Sequence, residues 1–314
     1  MMDDDRRRIL AAHAELIADG TLSPLSRDPA ETRRWLDCEL ASLVENRFFV
    51  PLDPLGLTVE DRARWEPRAT SDEPLSSPHG HDWYRIPYWL LDGGERAGTL
   101  ALATSFMGME LVTASSLYTL PSHRRRGVAA RALHRAHEAV LGQSARGLRV
   151  PAYWTWQPAV RFYLGLGMWI ANWKHSLVFC WRHGLPPHHI EVGEREATFG
   201  VVEGGRVEPL IVATREGDRL GWTELPRLDE LRGEGSAIPH DAPETFAVAL
   251  ATHGFPLIRS AEAWEKRHAS SDGGAPEGLA HKIEVFEGWD RKSGYEVRAP
   301  RIPGLAYREW DDID

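Results

Sequence analysis

Cysteine is scarce in this sequence of 314 residues, where Cys38 and Cys180 are the only two. Two cysteines cannot form the disulfide framework of a small secreted protein, and neither lies in a spacing typical of structural zinc. The first residues, MMDDDRRRIL, lack the apolar core of a signal peptide. We therefore expect a protein of the reducing cytoplasm.

Long apolar runs and an excess of basic charge are absent as well. No stretch approaches the roughly 18 apolar residues of a membrane helix, which predicts that the chain does not span a membrane. Lys and Arg number 37 against 46 Asp and Glu, a formal net charge of −9. This balance argues against a protein built mainly to coat nucleic acid. Hydrophobic residues make up 42% of the chain, so a sizeable core is available.

Length and composition predict two folded regions. A prior of about 150 residues per domain suggests two domains, and RHGLPPHH at 182–189 is typical of a linker. We expect an N-terminal helix and linker at 1–30, a main domain at 31–184 and a C-terminal domain at 185–314.

Hydrophobic periodicity predicts a mixture of helices and strands, and hence an α+β fold. Predicted helices cover 6–19, 31–47, 127–141, 158–165, 243–253 and 260–268. Predicted strands cover 84–92, 95–104, 110–120, 148–153, 177–181 and a hairpin within 194–214.

One strand–loop–helix segment, LYTLPSHRRRGVAARAL at 117–133, carries the clearest chemistry. The first amides of a helix lack intrahelical partners and lie at its positive end, so N–H groups from Arg125 to Ala129 can hold a pyrophosphate. Gly127 admits close approach of the phosphates, and the small Ala129 avoids a clash. Further positive charge comes from Arg124, Arg125 and Arg126. A solvated basic loop that caps an ordinary helix is the alternative that these residues leave open.

Two motifs in this chain resemble those of one enzyme family. Arg124-x-x-Gly127-x-Ala129 resembles the (Gln/Arg)-x-x-Gly-x-(Gly/Ala) acyl-CoA loop of the GNAT N-acetyltransferase superfamily. Downstream, QPAVRFYLGLGMW is similar to a later GNAT motif, matched here by Ala159, Phe162, Tyr163, Gly167 and Met168. The resemblance covers residues 31–183. It implies a GNAT-type mixed, mostly antiparallel sheet flanked by helices, with a smaller C-terminal α+β domain beyond it.

The resemblance also implies an activity. GNAT enzymes bind acetyl-CoA as co-substrate, without a metal, in a split that would lie here between the strand ending at Leu120 and the strand starting near Leu148. A primary amine attacks the thioester directly, and Tyr163 matches the tyrosine that protonates the leaving thiolate. For Tyr163, a core aromatic on a helix is the alternative. The implied cofactor contacts are Thr119 and Leu120 for the pantetheine arm, and Arg124, Arg125, Arg126, Gly127, Val128 and Ala129 for the pyrophosphate.

Two departures from the family pattern affect the site. Trp156 stands seven residues before Tyr163, where the family often has Asn. The strand TASSLYTL lacks the Glu that many relatives use as general base, which leaves a water chain, Glu110, Asp82 or His123 as alternatives. A non-catalytic acyl-CoA-binding or protein-interaction module on a GNAT scaffold is therefore the second interpretation.

Other side chains allow a structural and a functional interpretation. A set of tryptophans is either core or an aromatic pocket for an amine acceptor, more suited to a small molecule than to a basic peptide: Trp154, Trp156, Trp169, Trp173 and Trp181. His79 and His81 stand in a loop that is either solvated or capable of holding a metal. For the C-terminal domain we leave three roles open: covering the acceptor site, forming a homodimer, or binding a partner.

The remaining histidines favour structural roles. His134 and His137 are spaced as neighbours on a polar helix face. His183, His188 and His189 surround the predicted linker and favour an ordinary hinge over a metal site.

Overall fold

The computed structural model describes residues 2–26, 28–45, 48–49, 75–76, 82–83, 85–105, 108–152, 156–172, 177–216, 219–231, 242–253, 255 and 296–297. The chain divides into two compact units. The first comprises residues 1–151 and 181–183, and the second comprises 152–180 and 184–314. The domain boundary at 184/185 stays a prediction.

The described part of the first unit combines three α-helices with a sheet. Its helices are α1 (Met2–Ala18), α2 (Pro29–Glu45) and α3 (Val128–Gly142). Its strands are β1 (Leu22–Pro24), β2 (Phe48–Phe49), β3 (Leu75–Ser76), β4 (Asp82–Trp83), β5 (Arg85–Asp92), β6 (Glu95–Ser105), β7 (Gly108–Thr119) and β8 (Gly147–Ala152).

The main sheet of this unit runs in the order β1-β5-β6-β7-β8, while β3 and β4 pair with each other. All neighbours in the main sheet are antiparallel except β7 and β8, which are parallel. The β5–β6 hairpin turns at Gly93 and Gly94, which both adopt positive φ, the conformation that a two-residue hairpin requires. The predicted mostly antiparallel sheet is confirmed.

Successive side chains of β5 bind helices on the two faces of the sheet. The hydroxyl of Tyr88 lies 3.0 Å from Nδ1 of His13 on α1. The next residue, Trp89, donates from Nε1 to Glu31 on α2 at 2.8 Å. Because successive strand residues point to opposite faces, α1 and α2 cover opposite sides. The predicted flanking helices are confirmed.

The second unit has its own sheet and core. It contains α4 (Gln157–Gly165), β9 (Trp169–Asn172), β10 (Leu177–Arg182, whose last two residues belong to the first unit), β11 (His188–Val192), β12 (Glu196–Glu203), β13 (Arg206–Glu216), β14 (Arg219–Glu224), α5 (Pro226–Leu231), α6 (Ala242–Thr252) and β15 (Glu296–Val297). Strands β11 to β14 form an antiparallel meander, and β9 pairs with β10. The rings of Trp169, Phe199, Phe246 and Trp222 contact one another in sequence, with centroids 5.3–5.6 Å apart. Beyond residue 184 the described elements are the β11–β14 meander with α5 and α6, which is an α+β arrangement. That this region forms a smaller separate domain stays a prediction.

Most predicted elements are present, with shifted ends. The structure adds elements that the sequence pattern does not predict, because each is short or lacks clear alternation: β1, β2, β3, β4, β9, β11, β14, β15 and α5. β11 begins inside the predicted linker, at His188, which is buried, so an ordinary hinge is wrong for this histidine. The helix at 260–268 lies outside the described residues.

None of the helices that the structure describes is long and apolar enough to cross a membrane.

Candidate functional site

The eight residues predicted to bind the cofactor lie in one continuous segment of the first unit. β7 ends at Thr119, a single 3₁₀ turn covers Pro121–His123, and α3 starts at Val128. Pro121 fixes its own φ at the start of the turn, a position that proline tolerates. The chain therefore passes from strand to helix within eight residues, Leu120 to Gly127, all at the same end of the sheet.

The N-terminus of α3 presents unpaired amides. Its first intrahelical bond runs from the N–H of Arg131 to the carbonyl of Gly127, at 2.9 Å. No side chain in the described part of the chain caps this end. The N–H groups of Val128, Ala129 and Ala130 therefore have no intrahelical acceptor and lie at the positive end of the helix dipole. Such an end is suited to an anion.

Two positive φ angles shape the loop before the helix. Arg125 has φ +62° and Gly127 has φ +73°. At Gly127 a side chain would be strained and its Cβ would lie 3.3 Å from Nη1 of Arg131. Turns of this kind bring successive backbone N–H groups to one side, as in anion-binding nests.

Asp92, at the end of β5, binds three basic side chains around the loop. One carboxylate oxygen lies 3.3 Å from Nδ1 of His123 and 3.4 Å from Nη1 of Arg126. The other accepts from Nη2 of Arg131 at 3.3 Å. The hydrogen bond with His123, followed by Arg126 and Arg131, lowers the pKa of Asp92 below its ordinary value. The carboxylate therefore already occupies donors that a phosphate would also attract.

Arg131 and Arg124 are further held by backbone carbonyls. Arg131 donates from Nη1 to the carbonyl of Arg126 at 2.7 Å, which closes the loop over the first helical turn. Arg124 donates from Nε to the carbonyl of Thr119 at 3.0 Å, and its guanidinium lies 5.5 Å from the ring centre of Tyr118. Both arginines are exposed, and these hydrogen bonds hold each side chain against the loop.

β7 separates from β8 before it reaches the loop. In the described residues the two strands pair only at Val112 with Leu148 and at Thr113 with Arg149. β7 then continues to Thr119 with β6 as its paired neighbour. Its other edge, from residue 114 to 119, is therefore open in the part of the chain that the structure describes. A split is predicted between the strand ending at Leu120 and the strand starting near Leu148, and these strands correspond to β7 and β8.

A β-bulge lies within this open stretch. Thr99 faces Tyr118 and Ala101 faces Ser115, so Leu100 alone stands opposite Ser116 and the residue after it. Ser116 has φ +51°, and its carbonyl accepts from Oγ1 of Thr99 at 2.8 Å. Because a bulge bends its strand and increases the twist, it contributes to the divergence of β7 from β8.

Several backbone groups predicted to hold the pantetheine arm are already engaged. The N–H of Leu120 donates to the carbonyl of Ala97 at 2.8 Å, and its carbonyl accepts from the N–H of His123 at 2.9 Å. The carbonyl of Thr119 accepts from Arg124. These carbonyls each retain one lone pair, whereas the N–H of Leu120 does not remain available.

Tyr163 belongs to the second unit, on α4. Its side chain is buried, with the ring centres of Phe179 and Phe162 at 5.1 Å and 5.4 Å. Burial raises the pKa of Tyr163 well above its ordinary value. The phenol therefore keeps its proton at neutral pH, as a general acid must, and its ring also packs as a core aromatic.

The alternatives for the general base are only partly described. His123 is buried and bound to Asp92, so it belongs to the ionic cluster beside the loop. The side chains of Glu110 and Asp82 lie outside the described residues. Trp156 is the residue before the first turn of α4, and its carbonyl accepts from the N–H of Val160 at 2.9 Å.

The other candidate side chains take mainly structural places. Trp169 and Trp181 are buried, which favours the core interpretation for both, while Trp154 and Trp173 lie outside the described residues. Trp169 donates from Nε1 to the carbonyl of Pro186 at 2.8 Å.

The histidines of α3 contact a tryptophan of the same unit. Trp181 stacks on His134, with ring centres 4.6 Å apart. His137 also contacts Trp181, and burial followed by the charge of His134 lowers its pKa to about 4. A purely polar helix face is therefore wrong for His137.

Metal binding finds no support in the described side chains, among which no group of three or more His, Cys, Asp and Glu could hold a metal ion. His79 and His81 lie outside the described residues.

Sequence reasoning does not identify Asp92 and Arg131 as parts of this site. Helical periodicity places Arg131 towards solvent, and Asp92 stands only as the first flank of a Gly-Gly turn. The available signal is that an Asp before such a turn stands at a strand end, where it can meet a loop at the same edge of the sheet.

Neither a protein-family model nor a curated protein matches the chain. Part of it is similar to solved acetyltransferase structures. An acetyltransferase from Thermus thermophilus is 21% identical with a TM-score of 0.37, and the match covers 52% of this chain and 97% of that one. The GNAT domain of PAT from S. lividans is 12% identical with a TM-score of 0.36, covering 51% and 89%. The PaiA N-acetyltransferase from Thermoplasma acidophilum, solved with coenzyme A, is 11% identical with a TM-score of 0.28, covering 32% and 61%.

Proposed function

We propose that this chain is a GNAT-type N-acyltransferase that moves an acetyl group from acetyl-CoA to a primary amine. The observation that carries the proposal is the N-terminus of α3, where uncapped amides follow two residues of positive φ within an arginine-rich loop. The first GNAT-like motif lies in this loop and the second follows it in the sequence, which is the order expected for the family.

In this proposal the loop holds the cofactor by its pyrophosphate. The N–H groups of Val128 and Ala129 bind phosphate oxygens, and Gly127 lets the phosphates approach the backbone. Arg124, Arg125 and Arg126 neutralise the remaining phosphate charge. The pantetheine arm lies along the open edge of β7, near Thr119 and the carbonyl of Leu120.

The transfer itself needs no covalent intermediate on the protein. The free amine attacks the thioester carbon, a C–N bond forms, and the carbonyl oxygen becomes an oxyanion that backbone N–H donors stabilise. The C–S bond then breaks, Tyr163 gives its proton to the coenzyme A thiolate, and the proton that the attacking nitrogen loses on becoming an amide returns to the phenolate. An amine with a pKa near 10 must first lose a proton, and water, Glu110, Asp82 or His123 remain the candidate routes.

Calorimetric titration with acetyl-CoA tests the cofactor site. We expect micromolar binding by the wild type and no measurable binding by Gly127→Glu, because bulk and negative charge enter the phosphate site. Gln143→Glu is the matched control, since it adds the same charge at the other end of α3, about 22 Å away for 15 residues. Unchanged affinity in Gly127→Glu, or equal losses in both variants, would refute the phosphate-loop assignment.

A second candidate function is a non-catalytic acyl-CoA-binding or protein-interaction module on the same scaffold. It is favoured by the strand TASSLYTL, which carries no acidic side chain, and by Trp156 in place of Asn. An amine panel with detection of free coenzyme A thiol separates the two functions. Acetyl transfer to any amine supports the enzyme, whereas tight cofactor binding with no transfer or hydrolysis supports the module.

A further inference from the structure

A cavity of about 340 Å³ lies within the second unit, among α4, β11 and α6. Part of its wall is apolar and comes from all three elements: Leu164, Ile190, Val192 and Ala249. Cavities that bind small molecules start at about 300 Å³ and combine apolar walls with a few placed polar groups. The size and the wall therefore fit a compact organic ligand.

The polar part of the lining is cationic or neutral. Among the described lining residues are Arg161, His188, His189 and His253, with no Asp or Glu. Burial lowers the pKa of His188 to about 4, so its ring is neutral at pH 7. Arg161 therefore supplies the permanent positive charge, in a chain whose formal net charge is −9.

Arg161 is fixed at this position by the end of α6. Its Nη2 donates to the carbonyl of Thr252 at 2.7 Å, while Nδ1 of His253 donates to the carbonyl of Ala249 at 2.8 Å. A guanidinium has five N–H donors in a rigid plane. With one donor anchored, the others can meet a carboxylate at a small cost in side-chain entropy.

We propose that this cavity binds a small organic carboxylate, with its anionic group on Arg161 and its apolar part against Leu164, Ile190 and Val192. Inorganic phosphate offers the charge without the apolar part, and an alcohol offers the apolar part without the charge. A purely structural role of Arg161, capping the end of α6, accounts for its hydrogen bond to Thr252 but not for the apolar cavity beside it. The proposal does not depend on the acyl-CoA site, which lies on other residues.

Isothermal titration of the full chain with hexanoate, 1-hexanol and inorganic phosphate tests the site. We expect saturable binding of hexanoate with a Kd of about 1 mM or tighter, and at least tenfold weaker binding of the other two probes. Absence of saturable hexanoate binding up to about 10 mM, or equal affinity for hexanol, would overturn the proposal. Binding of phosphate as tightly as hexanoate would also overturn it, because the apolar wall would then contribute nothing.

Variants locate the binding. Arg161→Gln keeps an amide that can donate to Thr252 but removes the charge, and should weaken hexanoate binding at least tenfold. Arg227→Gln, in the same unit and outside the cavity lining, removes the same charge and should leave the affinity within about twofold. Val192→Phe narrows the cavity with Arg161 intact and should also weaken binding. Equal affinity of Arg161→Gln and wild type refutes the site. If Arg161→Gln fails to fold, unchanged hexanoate binding by Val192→Phe refutes it instead.

Gly127→Glu separates this site from the proposed cofactor loop. We expect it to bind hexanoate with unchanged affinity, whether or not the wild type binds acetyl-CoA. Loss of hexanoate binding in Gly127→Glu would mean that the probe occupies the acyl-CoA site, and would overturn the proposed cavity site.

Discussion

The carboxylate of Asp92 lies 3.3 Å from Nδ1 of His123, across the gap between the β5–β6 turn and the loop that precedes α3. The same carboxylate reaches Arg126 and Arg131, so one acidic side chain joins the hairpin to the base of the loop. It has two opposing effects on an incoming phosphate. It orders the cationic side chains, and it cancels part of their charge.

We expect charge cancellation to dominate, so that Asp92→Asn tightens acetyl-CoA binding about threefold at low salt. An amide oxygen can still accept from His123 or Arg131, which preserves part of the ordering. The difference should shrink at high ionic strength because Arg126 and Arg131 are exposed and salt screens their charges. Titration of both proteins at low and high salt measures this, and weaker binding by Asp92→Asn at low salt would show that ordering matters more.

Tyr163→Phe should reduce turnover about 100-fold and leave acetyl-CoA affinity nearly unchanged. The reason is that the phenol is needed when the thiolate leaves and not when the cofactor binds. The measurement is kcat with an active amine, together with a cofactor titration and a thermal melt. A variant with full activity and a normal melt would exclude Tyr163 as the general acid.

Gly98→Ala should destabilise the fold by about 2–4 kcal/mol. A Cβ at Gly98 would collide with the carbonyl oxygen of Tyr118 and lie 3.0 Å from Cα of Thr119, and backbone atoms cannot move aside cheaply. Gly165→Ala on α4 is the control, since nothing lies within 4 Å of its Cβ position. It should be neutral or stabilising by up to about 1 kcal/mol. Urea unfolding of both variants compares them, and equal stabilities would contradict the close approach of β6 and β7.

His188 should make the protein less stable as the pH falls. Its pKa is lowered to about 4 by burial, against about 6.5 in the unfolded chain. Between these values the unfolded state binds more protons, so stability is fully present above pH 6.5 and declines towards pH 4. A loss on the order of 3 kcal/mol follows for this group over the whole window.

His188→Phe tests this expectation by urea unfolding at pH 7.5 and 5. The variant should be less stable than wild type at pH 7.5, because the carbonyl of Met168 loses the hydrogen bond that it accepts from Nε2 at 2.7 Å. Between pH 7.5 and 5 the variant should lose less stability than the wild type loses. Some pH dependence of the stability will remain in the variant, because the pKa of His137 is also lowered by burial. Parallel pH profiles for the two proteins would show that His188 is not the group that responds.

Local sequence patterns predicted most of the helices and strands along the chain. The strand before the arginine-rich loop and the helix after it are found where alternation and periodicity placed them, and Val128, Ala132 and Leu133 are buried on one side of that helix. The strands predicted at 84–92 and 95–104 leave only Gly93 and Gly94 between them, and glycine accepts the positive φ that both adopt in the turn.

Contacts between distant segments were not predictable in this way. Asp92 meets His123 across 31 positions of sequence, and no local pattern records such a contact. His188 follows Pro186 and Pro187, which indicate a linker. Its burial depends on tertiary packing against Trp169 and Phe199, with ring centres 5.5 Å and 5.4 Å away.

The bulge in β7 shifts the alternation of faces along the strand by one residue. Ser115 and Tyr118 are three positions apart, yet they share one face, because their partners Ala101 and Thr99 are two positions apart on β6. Removal of Ser116 or of the residue after it would leave one residue opposite Leu100, so Tyr118 would keep its pairing with Thr99 while the bulge would be lost. The stretch from Ser115 to Tyr118 should therefore accept the loss of one residue without a change of register, and its extra residue serves the bend of β7 before the loop.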